Sequence, residues 1–288
     1  MRHLILGGTG NVGGAVVTEL IGRGEREVSV LTRSPEKAEK LPRGVRVVEG
    51  NLANPATFDD AFRDFDTMFL LNVVSPDELQ EGLMALAEAR RTKTKRIVYL
   101  SVQQPSPTGY LVPHFAAKLA IHRALEESGI PFTIIGPNNF YQNDFWFKDA
   151  ILEHGIYPQP IGEIGLSRVD VRDIAVASAN ALTQPGHDGK YYALVGPDAL
   201  SGEDCAKIWS EATGRTVKYA GNDLDAWEKQ SLAYMPAWAV YDFRLMYEMF
   251  QAEGWKASKA QLKECETIVG HKPRSYRDFV RETAAAWK

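Results

Sequence analysis

The stretch Gly7-Gly8-Thr9-Gly10-Asn11-Val12-Gly13 follows the apolar run Leu4-Ile5-Leu6 at once and leads into an amphipathic segment, and it constrains this 288-residue chain more than any other feature. It satisfies both Gly-x-x-Gly-x-x-Gly from Gly7 and Gly-x-Gly-x-x-Gly from Gly8. A pyrophosphate needs backbone N–H groups at a helix N-terminus and a turn without side-chain bulk, while the last glycine lets that helix lie close to the preceding strand. A second aliphatic run, Val28 to Leu31, follows within the distance a βαβ unit requires. The order strand, glycine loop, helix, strand raises the motif well above a chance pattern.

The rest of the chain agrees. Strands are expected near Leu4–Leu6, Val28–Leu31, Val45–Val48, Met68–Leu71, Arg96–Ser101, Phe132–Ile135 and Tyr191–Leu194, separated by longer amphipathic stretches. That alternation predicts an α/β Rossmann fold, a doubly wound parallel sheet, reaching about residue 195. Ser34-Pro35, Asn54-Pro55 and Ser75-Pro76 each place a capping side chain before a proline and are expected to start helices, Ser75 and Glu78 forming a capping box. Asp170 is expected to cap another. All six tryptophans lie at or beyond position 146, and the tail reads as helices plus one short strand near 216–220. The expected organisation is a dinucleotide-binding domain over 1–195, with 141–168 lining its cleft, and a smaller, mostly helical substrate region over 196–288.

Charge and composition exclude several classes. A net charge of -4, with no dense Lys/Arg block, gives no attraction for nucleic acid. No apolar run reaches the roughly 20 residues of a membrane span. The two cysteines, Cys205 and Cys265, form no Cys-x-x-Cys pair and are expected to be packed and inert. Met1 leads almost directly into the first strand, so cytoplasm is the expected compartment. The histidines lack metal-ligand spacing, and no metal is expected.

Cofactor choice is read after the second strand. An NAD-selective protein places a carboxylate there against the ribose 2′-hydroxyl, but this chain has Thr32-Arg33-Ser34. Arg33, with Lys37 as a second positive charge, can pair with a 2′-phosphate, so NADP(H) is expected over NAD(H).

The glycine loop, Thr-Arg-Ser-Pro-Glu-Lys-Ala at 32–38, Phe-Ala-Ala-Lys at 115–118 and Val-Asp-Val-Arg-Asp-Ile-Ala at 169–175 together resemble the NmrA-like atypical short-chain dehydrogenase/reductases. The likeness continues more weakly to Lys-Pro-Arg-Ser-Tyr-Arg-Asp-Phe-Val at 272–280. That family includes NADPH-dependent quinone and triarylmethane-dye reductases, and redox-sensing regulators that bind the dinucleotide without known turnover. The resemblance implies that Thr9, Gly10, Asn11 and Val12, within the cofactor-binding loop from Gly7 to Gly13, meet the pyrophosphate and Arg33 the 2′-phosphate. Asn51 and Leu52 would flank the adenine, and Asn72, Val73, Pro137 and Phe140 would lie near ribose and nicotinamide. Two departures stand out: Asn51 where an aspartate is common, and Gly136 where an arginine precedes the proline.

Typical short-chain reductases carry Tyr-x-x-x-Lys on one helix face; here the spacing is kept by His114 and Lys118. Lys118 reads as the ribose-binding residue, against a solvated surface lysine. His114 has three readings: proton donor, substrate partner, or an exposed helix-start residue. A neutral imidazole beside an ammonium is a weak acid, which suits acceptors that need little protonation, such as quinones and cationic dyes. Tyr110, Phe140 and Trp146, with Tyr141, Phe145, Tyr234, Trp238 and Tyr241, either line a pocket for a flat acceptor or form core. The expected partner is a small aromatic substrate; homodimerisation and a regulatory protein partner are both compatible with the sequence, and an NADP(H)-sensing regulator is the alternative to a reductase.

Overall fold

The computed structural model describes residues 1–57 and 61–288. In chain order it contains β1 (His3–Leu6), α1 (Asn11–Gly22), β2 (Val28–Thr32), β3 (Arg46–Glu49) and β4 (Thr67–Leu70). There follow α2 (Glu78–Arg91), β5 (Arg96–Leu100), α3 (Pro113–Glu126), β6 (Phe132–Pro137), α4 (Lys148–Leu152) and β7 (Ile156–Tyr157). The remainder is α5 (Val171–Thr183), β8 (Lys190–Leu194), α6 (Gly202–Thr213), β9 (Lys218–Tyr219), α7 (Leu224–Ser231), α8 (Ala237–Glu253), α9 (Lys259–Val269) and α10 (Tyr276–Ala286).

Two units divide the chain. The first comprises Met1–Gln104, His114–Pro137 and Val171–Ala193, and the second Pro105–Pro113, Asn138–Asp170 and Leu194–Lys288. In the first, the seven-stranded sheet runs β3-β2-β1-β4-β5-β6-β8. The pairings β1/β2, β1/β4, β2/β3, β4/β5 and β5/β6 are parallel, with Leu4 opposite Ser29 and Met68. Both faces of the central strands are covered, which is why β1 and β4 are buried at every position and are mostly apolar in place of alternating. Leu4, Leu6, Met68, Leu70, Ile97 and Ile134 meet Ala85 and Ala89 of α2 and Ile121 and Leu125 of α3. α1 and α5 pack together, tied by Arg23 Nη1 donating to Asn180 Oδ1 at 2.6 Å.

The chain leaves β1 toward β2 and β3, then crosses back to β4 on β1's other side. This reversal opens a crevice at the carboxyl ends of β1 and β4, the place where open α/β sheets bind ligands.

The second unit is mainly helical. The strand expected near 216–220 is Lys218–Tyr219, and it pairs in parallel with Ile156–Tyr157, a partner the sequence did not suggest. Buried charge organises this unit. Arg168 and Asp144, both fully buried, pair at 2.8 Å, and Arg168 also donates to Tyr157 Oη at 2.9 Å, Asn139 Oδ1 at 2.9 Å and the Phe140 carbonyl at 2.8 Å. Trp209 Nε1 and the Tyr276 hydroxyl donate to the same Asp144 carboxylate. A buried ion pair persists only when such further bonds satisfy it, and here they fix the segment that leaves β6.

Three expected helix starts need correction. Pro35–Lys40 and Pro55–Thr57 are 3-10 turns, the first without a side-chain cap from Ser34, although Asn54 Oδ1 accepts from Ala56 N at 3.3 Å. The Ser75–Glu78 capping box does not form: α2 begins only at Glu78, whose carboxylate is drawn into a buried ion pair with Lys118 and away from the Ser75 backbone. α5 does begin directly after Asp170.

Candidate functional site

The loops that form the candidate site in the first unit hang from the carboxyl ends of strands. After β1, Gly7 turns at φ +69°, a conformation that costs glycine little and other residues more. Gly10 N donates to Gly7 O at 3.0 Å, and extended Gly10 precedes α1 with no side chain capping it. The first N–H groups of α1 therefore remain available to an anion. A Cβ on Gly13 would lie 2.2 Å from Gly7 O, and one on Gly8 would lie 2.6 Å from Val30 Cγ2, so both glycines are required by close approach.

After β2, Ser34 N donates to Thr32 Oγ1 at 3.1 Å, fixing the turn that presents the exposed Arg33. After β3, Asn51 Oδ1 accepts from Ala53 N at 3.0 Å, and Asn51 N donates to Thr57 Oγ1 at 2.9 Å. The amide oxygen of Asn51, a residue expected to flank the adenine, thus already carries one local bond. Asn72, after β4, is 3% exposed, and neither its Oδ1 nor its Nδ2 has a hydrogen-bond partner. Ser75 Oγ is likewise buried and unpartnered.

These segments enclose one cavity of about 160 Å³, lined among others by Gly7, Thr9, Arg33, Asn51, Leu52 and Asn72. Val73 joins the same wall, and Glu81 enters it from α2. Gly10, Asn11, Val12 and Gly13 form the adjoining loop and helix start. The fit to a dinucleotide is chemical: uncapped helix N–H groups for a pyrophosphate, a guanidinium for a phosphate, a side-chain-free approach at Gly7 and Gly13, and an orphaned buried amide. Buried polar groups without partners are uncommon in native proteins and mark places where a ligand or water completes them.

α3 places the candidate catalytic residues. Lys118 is 9% and His114 8% exposed, so neither the solvated-lysine nor the exposed-histidine reading holds. The Lys118 ammonium bonds Glu78 Oε1 of α2, a partner forty residues away that sequence reasoning missed. The His114 ring meets Phe115 edge-on at 4.4 Å. Pro137 is buried at the end of β6.

Gly136 explains its own departure. A Cβ there would stand 2.3 Å from the Tyr191 hydroxyl and 2.6 Å from its Cζ, because the Tyr191 ring fills that space. Tyr191 Oη accepts from Gln104 N at 2.8 Å and donates to Val102 O at 3.2 Å, so this phenol anchors the chain leaving β5. Its ring stacks on His122 of α3 at 6.0 Å, and burial lowers the His122 pKa. The signal was present in the sequence as an expected arginine replaced by glycine, but the compensating residue lies on another strand.

The remaining aromatic candidates belong to the second unit. Tyr141 is core, its hydroxyl donating to Arg274 O at 3.1 Å. Phe140 is half-buried, whereas Trp146 is 70% exposed and Tyr110, Phe145, Tyr234, Trp238 and Tyr241 are exposed too. Cys205 and Cys265 are buried, and burial pushes the Cys205 thiol up to about 11. Among the described residues no cluster of three or more His, Cys, Asp or Glu side chains could hold a metal, and no helix is long and apolar enough to cross a membrane.

Comparison with known proteins agrees with this geometry. The profile of the NmrA-like family matches residues 2–279. An NAD(P)H azoreductase of Xenophilus azovorans is 29% identical over 286 residues, covering 99% of this chain and 98% of that protein. Among solved structures, an NADPH-dependent quinone oxidoreductase from Escherichia coli in complex with NADPH superposes with a TM-score of 0.85 at 20% identity, covering 98% of this chain and 99% of that one. A triphenylmethane reductase from Citrobacter sp. also reaches 0.85 at 20% identity, covering 99% of this chain and all of that one.

Proposed function

The chain belongs to the NmrA-like family, and from that membership and the cavity at the sheet's switch point we propose that it is an NADPH-dependent reductase of small aromatic acceptors such as quinones and dyes. The relatives and structural neighbours are NAD(P)H-dependent azo, quinone and dye reductases, which supports a reductase role. The alternative of a non-catalytic regulator gains no support from them. The observation that carries the reading is the convergence of Thr9 of the glycine loop, Arg33 and orphaned Asn72 on one cavity, with the uncapped start of α1 following the same loop.

In this reading the α1 N–H groups bind the pyrophosphate, and Arg33 selects the 2′-phosphate. The bound nicotinamide supplies the hydride. Lys118, oriented by Glu78, faces the ribose hydroxyls. Position 114 lacks the tyrosine that a ketone reductase uses to protonate an alkoxide, so the favoured acceptors are those whose reduction leaves a stable product. A quinone taking up hydride becomes a resonance-stabilised phenolate, which accepts a hydrogen bond from His114 and gains its proton from water; a cationic dye becomes neutral outright. The test is multiple-turnover oxidation of NADPH by purified protein with a small quinone against a protein-free control. Protein-dependent turnover supports the assignment, and its absence with quinones, azo compounds and cationic dyes alike overturns it.

A further inference from the structure

The cavity that holds Arg33 also holds a carboxylate. Glu81 stands in the first turn of α2 and lines the same cavity as Arg33, which arrives from the end of β2. Their charges interact, yet no salt bridge joins them, and neither side chain makes a hydrogen bond among the described residues. Burial raises the Glu81 pKa and the Arg33 charge draws it back. The neighbouring acid on α2, Glu78, is committed to Lys118, so Glu81 is the carboxylate of this turn left facing the cavity.

We propose that Glu81 is a specificity-determining residue that sets against Arg33 a carboxylate for the ribose 2′ position, so that the site accepts NADH as well as NADPH. The reasoning is electrostatic and rests on the cavity being the dinucleotide site. A 2′-phosphate brings a charge of roughly -1.5 to -2, which Arg33 attracts and an ionised Glu81 repels. An unphosphorylated ribose presents a hydroxyl in its place. A carboxylate accepts a hydrogen bond from that hydroxyl, which an arginine, having donors only, does not. Discrimination between the two cofactors is the difference of the two affinities, and an acid opposite a base reduces it from both sides. The turn after the second strand, Thr32-Arg33-Ser34, carries no acid, and Glu81 reaches the cavity from α2 instead.

Affinities for NADPH and for NADH, measured by calorimetry on the wild-type protein and on Glu81→Gln, Glu81→Ala and Arg33→Ala, test this directly. Both Glu81 variants should bind NADPH more tightly and NADH more weakly, raising the ratio of the NADH to the NADPH dissociation constant about fivefold or more, and Arg33→Ala should lower it. If the Glu81 variants bind both cofactors with a ratio within about twofold of wild type, this inference is overturned while the dinucleotide assignment stands. If the wild-type protein binds neither cofactor, both fall together.

Discussion

Replacing Gly13 by alanine probes the glycine loop at its most crowded point. The added methyl would sit 2.2 Å from Gly7 O, 2.6 Å from Gly7 C and 2.9 Å from Gly8 Cα. All three atoms are backbone, so no side chain can swing aside. A relaxed carbon–oxygen contact is longer by roughly 1 Å, and α1 must move off the loop by about that much. Overpacking of this kind costs about 1 to 3 kcal/mol. The displacement also carries the first N–H groups of α1 away from the pyrophosphate, with an expected tenfold or greater loss of NADPH affinity, about 1.4 kcal/mol or more. Gly10→Ala is the control: its methyl would meet only Gly7 O, at an ordinary 3.4 Å. That variant should keep wild-type stability while losing affinity, because the methyl projects from the residue that precedes the α1 donors. Thermal unfolding and NADPH titration of both proteins give the result. Wild-type stability and affinity in Gly13→Ala would refute the close-approach argument.

Three further outcomes are expected. His3, fully buried and hydrogen-bonded to Thr67 Oγ1 at 2.6 Å, has its pKa lowered from 6.5, chiefly by burial. Its neutral form is therefore favoured by folding, its contribution is complete above pH 6.5 and fades as pH falls through the folded pKa, and His3→Gln should flatten the loss of thermal stability on acidification. Lys118→Met should destabilise by about 3 to 5 kcal/mol in urea unfolding by stranding the buried Glu78 carboxylate, with Glu78→Gln in the same chain restoring much of it. Gly136→Ala should cost about 1 to 3 kcal/mol through its contact with Tyr191, and combining it with Tyr191→Leu should cost less than the sum of the single changes.

What the sequence made legible was whatever the backbone itself dictates. The glycine loop, the seven sheet strands and the helix after Asp170 all follow from local pattern, since a strand covered on both faces is mostly apolar and a close approach must be glycine. Less legible were roles decided by a distant partner. Glu78 has capping-box spacing from Ser75, but its nearest strong cation is Lys118 on α3, and a buried charge takes the ion pair over a surface cap. Tyr191 reads only as a strand residue, yet its ring occupies the space left by Gly136 and its hydroxyl anchors the chain after β5. Glu81 lacked any motif. Its position shows only once α2 is folded beside the end of β2. The Asp144–Arg168 pair was equally invisible, although Arg168 lies just before the recognised Val-Asp-Val-Arg-Asp segment.

The most direct test of the account is a fluorescence titration of NADPH with the purified wild-type protein, repeated with Arg33→Ala. Saturable binding at one site per chain, weakened in the variant by about 1.5 to 3 kcal/mol as expected for a lost charged hydrogen bond, would establish the cavity as the NADP(H) site. Absence of saturable binding by the wild-type protein, or equal affinity in both proteins, would contradict it.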